Sequence, residues 1–155
     1  MDESNSPAPR GSLPTAFLLV AILLMIALHL LVPVVQLFPF PWRLFGVAPV
    51  VGGLVLNIWA DQLFKRAGTA VKPFEPTVSL VLKGPFLFTR NPMYLGMVLV
   101  LAGIAVGLGS PTPWLVVPLF VWQVTERFIV PEEHKLEAAF GHQYLEYKAK
   151  VRRWF

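Results

Sequence analysis

The chain has 155 residues, room for one domain. Hydrophobic residues make up 55% and charged residues 14%, against roughly 25% charged in an ordinary globular domain, so composition excludes an ordinary soluble protein. The net charge of +4 gathers in two clusters beside long aliphatic runs, which favours a membrane surface over nucleic acid, and the lack of cysteine excludes disulfides, cysteine-based zinc sites and a cysteine nucleophile.

Residues 1–12, MDESNSPAPRGS, read as a flexible polar tail ahead of a single domain over 13–155. The first apolar run, 13–35, carries a lone His29 and has Pro33 near its end. A signal-peptide core is only about 7–15 residues long and precedes a small-residue cleavage site, so this run predicts a retained transmembrane helix. FPFPWR then breaks the chain, and a second span runs over about 44–63. The stretch from Lys65 to Arg90 is charged and punctuated by proline and glycine, too polar to span.

From Asn91 to Thr125 there is no charge. That is too long for one helix, and GLGSPTPW supplies the break. The expectation is a tight hairpin of spans at 93–108 and 113–130, with Pro118 as a possible kink. Beyond Glu126 the chain turns polar. Leu136, Phe140, Tyr144, Tyr147 and Val151 recur at helical spacing, with Lys135, Glu137, Gln143, Glu146 and Lys150 opposite, which predicts an amphipathic C-terminal helix with a bend at Gly141. The fold class is therefore all-α: a polytopic membrane bundle of about four transmembrane helices and a cytoplasmic amphipathic helix.

Basic residues fall in alternate loops. Lys65, Arg66, Lys72, Lys83 and Arg90 lie between spans two and three, and Lys135, Lys148, Lys150, Arg152 and Arg153 in the tail, whereas the loop between spans one and two has only Arg43. The positive-inside rule then places both termini on the cytoplasmic side of the cytoplasmic membrane.

A tight hairpin sets the start of span three beside the end of span four. Arg90, Asn91 and Tyr94 would face Glu126, Arg127 and the Glu132–Glu133 pair at the cytoplasmic mouth. Each residue also has a plainer role: Arg90 and Arg127 as anchors, Pro92 as a helix start, Tyr94 in the interfacial belt, Glu132 and Glu133 as first-turn acids after Pro131. His29 reads as a packed interhelical residue, and His134 and His142 as solvated. No nucleophile–base set for hydrolysis stands out.

GPFLFTRNPMYLG, followed one hairpin later by EEHKLEAAFGHQYLEYKAKVRRW, resembles the membrane methyltransferases of the isoprenylcysteine carboxyl methyltransferase and phospholipid methyltransferase group. The resemblance covers 83–154, with site blocks at 83–96 and 126–154, and the first two spans match nothing specific. Asn91 departs from the histidine of better-known members; it can hydrogen-bond but cannot titrate near neutral pH. The resemblance implies an S-adenosylmethionine site built from Arg90, Asn91, Tyr94, Gly96, Glu132, Glu133 and Tyr144. It further implies Arg127 and Arg152 as acceptor-binding residues, with Glu133 and Arg152 nearest the chemistry and Arg152 as the arginine turned inward. No metal is needed, and the methyl acceptor would be lipid-like or isoprenyl-linked, a carboxylate or an amine. Two other classes stay open: a sterol-reductase-like oxidoreductase using a nicotinamide cofactor, and a non-catalytic membrane scaffold.

Overall fold

The computed structural model describes residues 14–32, 35–67 and 80–155. The expected tail, Pro33 and the middle of the charged loop with Lys72 lie outside the described residues. Within them every regular element is a helix, in agreement with the all-α expectation.

Helix α1 spans Pro14–Leu31 and α2 spans Val47–Arg66, the latter extended backward by a 3-10 turn at Trp42–Gly46. Pro14–Leu31 and Trp42–Arg66 are long and apolar enough to cross a membrane. Both carry broad exposed aliphatic faces, with Leu19, Val20 and Leu23 on α1 and Val51, Val55 and Ile58 on α2. Apolar surface on that scale is stable against lipid rather than water.

Helix α3, Pro92–Leu108, is shorter at 17 residues and packs against α1, α2 and α4. Its contact with α2 is made backbone to backbone. Gly46 faces Gly103 and Gly53 faces Gly96, so the helices run antiparallel with two glycine pairs seven residues apart on each. A methyl added to any of the four would strike the opposing backbone, whereas Gly52 next door faces open space. In lipid, where no hydrophobic force draws helices together, close approach through small residues replaces it. Gly96 packs in this seam, against Gly53 and Asn57.

The hairpin forms where GLGSPTP predicts it. Gly109 adopts the left-handed conformation at φ 78°, and its N–H caps α3 on the Ala105 carbonyl. A 3-10 turn at Thr112–Leu115 leads into α4, Val116–Val124. Several hydrogen bonds close this end of the bundle. His29 Nδ1 and Ser110 Oγ share a 2.7 Å hydrogen bond, and Leu37 N–H donates to the Gly109 carbonyl at 2.8 Å. Arg43 Nε donates to the Phe38 carbonyl at 2.8 Å. His29 is thus interhelical, as expected.

The helix of the fourth apolar run continues past residue 130. A π-turn at Thr125–Ile129 carries α4 directly into α5, Val130–Phe140, with helical dihedrals at both junctions. Pro131 has no N–H to return to the preceding turn, and the widened π-turn just ahead of it accommodates the loss. Glu132 and Glu133 sit in the first turn of α5 after Pro131, as expected, but that turn continues the α4 rod. The tail breaks at Gly141, where a bend was expected: at φ 51° and ψ −123° it ends α5, and a separate α6 runs over His142–Lys150. Val151 is extended, at φ −120° and ψ 128°. The five apolar tail residues still meet, because Tyr144, Tyr147 and Val151 bury themselves among Leu136, Phe140, Leu80 and Leu82.

Candidate functional site

The site forms where three segments converge: the turn before α3, the middle of the α4–α5 rod, and the chain after α6. A 3-10 turn at Gly84–Leu87 buries Phe86, which packs edge-on against Phe64 at 5.1 Å, and the Tyr147 hydroxyl donates to the Phe86 carbonyl at 2.7 Å. The chain is thereby fixed at the point where it delivers Thr89, Arg90 and Asn91 to the start of α3.

These three residues hold the C-terminal segment by its backbone. The Arg90 N–H donates to the Arg152 carbonyl at 3.0 Å. Thr89 Oγ1 and Asn91 Nδ2 both donate to the Arg153 carbonyl, each at 3.1 Å. Asn91 thus spends its amide on a chain tie. That role needs a donor and no titration, which fits asparagine in this position.

The Arg90 side chain turns inward and is only 8% exposed. Its Nη2 lies 3.2 Å from Glu133 Oε1, while Nε and Nη1 are buried without a hydrogen-bond partner. Glu133 is gripped more firmly from the other side. Arg153 Nε meets Oε1 at 2.9 Å and Nη2 meets Oε2 at 2.7 Å, the two-point fork that suits a carboxylate. Burial alone would raise the Glu133 carboxyl, but the Arg153 hydrogen bonds and the charges of Arg90 and Arg153 outweigh it and hold it below the usual range. The Tyr144 ring, 1% exposed, lies beside this cluster; burial first, then the Glu133 charge, push its hydroxyl up to about 12.

Glu132, one residue earlier, lives in a different environment. Its Oε1 accepts a 3.2 Å hydrogen bond from the Tyr94 hydroxyl, and Tyr94 stacks on Phe128 at 6.3 Å. Burial raises the Glu132 carboxyl to about 7, against the opposing pull of the Tyr94 hydrogen bond and the Lys135 charge. Two adjacent glutamates therefore differ in kind. Glu133 is a fixed anion, and Glu132 exchanges its proton near neutrality.

The structure brings together Arg90, Asn91, Tyr94, Glu132, Glu133 and Tyr144. It leaves out three expected members. Gly96 is in the α2–α3 seam. Arg127 is exposed, its guanidinium 5.6 Å over the Phe17 ring. Arg152 is exposed as well, and the arginine that turns inward is Arg153. The reason is a change of period. Helix α6 ends at Lys150, and in the extended chain that follows alternate residues face the same way, so Val151 and Arg153 point in and Arg152 out.

Comparison with known proteins gives a consistent result. A 62-residue stretch is 42% identical to an uncharacterized protein of Haemophilus influenzae, covering 40% of this chain and 98% of that one. Over 109 residues the chain is 30% identical to protein-S-isoprenylcysteine O-methyltransferase B of Arabidopsis thaliana, and 29% to its A counterpart. Each of those matches covers 69% of this chain and 55% of the plant protein, so the chain spans about half the length of these two relatives. The sequence model of the phospholipid methyltransferase family matches residues 42–143. That match takes in α2, which the motifs alone left unassigned, and stops short of Arg153. With two thirds of its length matched, the chain belongs to the phospholipid methyltransferase family.

Proposed function

We propose that this chain is an integral-membrane methyltransferase that uses S-adenosylmethionine and acts on a lipid-like acceptor. The Arg90 guanidinium carries the reading. It is buried, paired at one nitrogen with Glu133, and left with Nε and Nη1 unsatisfied. A buried donor without a partner is costly, so the arrangement suits an anionic ligand group such as the cofactor's carboxylate. Glu133 and Glu132 offer acceptors for its ammonium or ribose hydroxyls, and the ring faces of Tyr94 and Tyr144 suit a sulfonium cation. When bound, the cofactor supplies an electrophilic methyl group. The protein's part is positioning, with no covalent intermediate required.

The proton chemistry moves by one residue from the sequence-based expectation. Glu133, held as an anion between two arginines, is a poor proton acceptor. Glu132, with a carboxyl near 7 and an anchoring Tyr94, suits an acceptor that must lose a proton, such as an amine; a carboxylate acceptor needs no such help. The names of the Arabidopsis relatives support an acceptor carried on a lipid chain. We assign the exposed Arg152 and Arg127 to the bilayer surface, where basic residues are attracted to anionic headgroups. Four spans with both termini in the cytoplasm follow from the loop charges. Reporter fusions after Phe155 and within 110–113 test it: a cytoplasmic signal at the hairpin with an external one at the C-terminus overturns that topology.

The central test is binding. Purified protein should bind S-adenosylhomocysteine by calorimetry, and Arg90→Ala should weaken this by roughly ten- to a hundredfold, the loss of one charge-assisted contact, while helical content is kept. Equal affinity in the variant would remove Arg90 from the site.

A further inference from the structure

The segment after α6 reaches the site in two ways. Its backbone is fixed by Arg90, Thr89 and Asn91, and its Arg153 side chain takes both oxygens of Glu133. The backbone ties mean that Arg153 is not a loosely placed surface residue, although its side chain is 37% exposed. The consequence falls on Arg90. With both Glu133 oxygens engaged by Arg153, Arg90 meets Glu133 through Nη2 alone, at 3.2 Å. A guanidinium and a carboxylate left to themselves prefer the two-point fork. Without Arg153, Glu133 would be free to turn and take that fork with Arg90, occupying donors that are now open.

We infer that Arg153 is a positioning residue: by holding Glu133 out of a two-point pairing with Arg90, it keeps Arg90 Nε and Nη1 open as the seat of an anionic ligand group. In this chain the group is the carboxylate of the proposed cofactor, and the inference rests on that reading of Arg90. Arg153 itself needs no contact with the ligand. It also lies ten residues beyond the end of the family match at residue 143, so the segment outside the match sets the selectivity of the site within it.

Two ligands separate this from a merely structural role. S-adenosylhomocysteine and its decarboxylated analogue share adenine, ribose, thioether and amine, and differ only in the carboxylate. Wild-type protein should prefer the carboxylate-bearing ligand by about tenfold or more in calorimetric affinity. Arg153→Ala should lose that preference, weakening S-adenosylhomocysteine while leaving the analogue unchanged. Arg153→Lys, which offers charge but no fork, should fall between. Full preference in a folded Arg153→Ala protein overturns the inference and leaves the Arg90 reading intact. No preference in the wild type means the Arg90 reading has failed, and the inference with it. If Arg153→Ala loses its helical signal, the lysine variant decides: wild-type discrimination there overturns the proposal.

Discussion

The two ends of α3 are both tied down by polar groups, but differently. At the hairpin end the ties are mostly short and neutral: His29 to Ser110, Leu37 to Gly109, and a lone charge, Arg43, spent on a carbonyl. At the other end the ties are ionic, with Arg90 and Arg153 on one carboxylate and a second carboxylate held apart by Tyr94. The first arrangement fastens helices together. The second fastens them and leaves donors over. Unpartnered buried guanidinium donors at one end and satisfied hydrogen bonds at the other set the two ends apart.

The contrast can be broken most forcefully at Glu133. Glu133→Ala strands a buried Arg90 and frees Arg153, and should cost about 3 kcal/mol of stability, the lower end for breaking a buried pair because Arg153 is partly solvated. Denaturant unfolding in detergent measures it. A loss no larger than that of a surface substitution would mean the cluster is not under charge constraint. Next comes pH. The Glu132 carboxyl is raised from 4.5 to about 7 in the folded state, so folding takes up a proton between those values. Stability should fall as pH rises through that window, by roughly 3 kcal/mol in all, and level off above it. Glu132→Gln should flatten the slope. Glu133 has the opposite sign: its lowered carboxyl favours folding above its unfolded value and loses that contribution as the solution is acidified through the folded one. Melting temperature followed against pH in both proteins separates the neighbours. The smallest effect belongs to the other end. Ser110→Ala removes one neutral hydrogen bond and should cost about 1 kcal/mol, with nucleoside affinity unchanged. A binding defect there would erase the distinction between the two ends.

Much of this was legible in the chain. Apolar runs and breakers located α1, α2, α3 and the hairpin, and the tail stripe located the residues that bury beneath α6. The site block was legible as a cluster because its charges sit where greasy segments begin and end. Three features were not. The π-turn has no sequence mark beyond Pro131, whose usual meaning is a helix start. Arg153 could not be separated from its neighbour, because KAKVRRWF carries no breaker to announce the switch from helical to extended period after Lys150. Gly96 was assigned to the site because it completes the motif. A signal for its packing existed: Gly46 with Gly53 and Gly96 with Gly103 share one spacing on two apolar helices, the pattern of a small-residue interface.

The glycine seam also governs traffic in the plane of the membrane. Between the Gly46–Gly103 and Gly53–Gly96 pairs, two helical turns or about 10 Å of α2 and α3 lie with backbones touching. No acyl chain can pass sideways through such a wall. The four glycines that hold the bundle together therefore also close the α2–α3 flank to lipid.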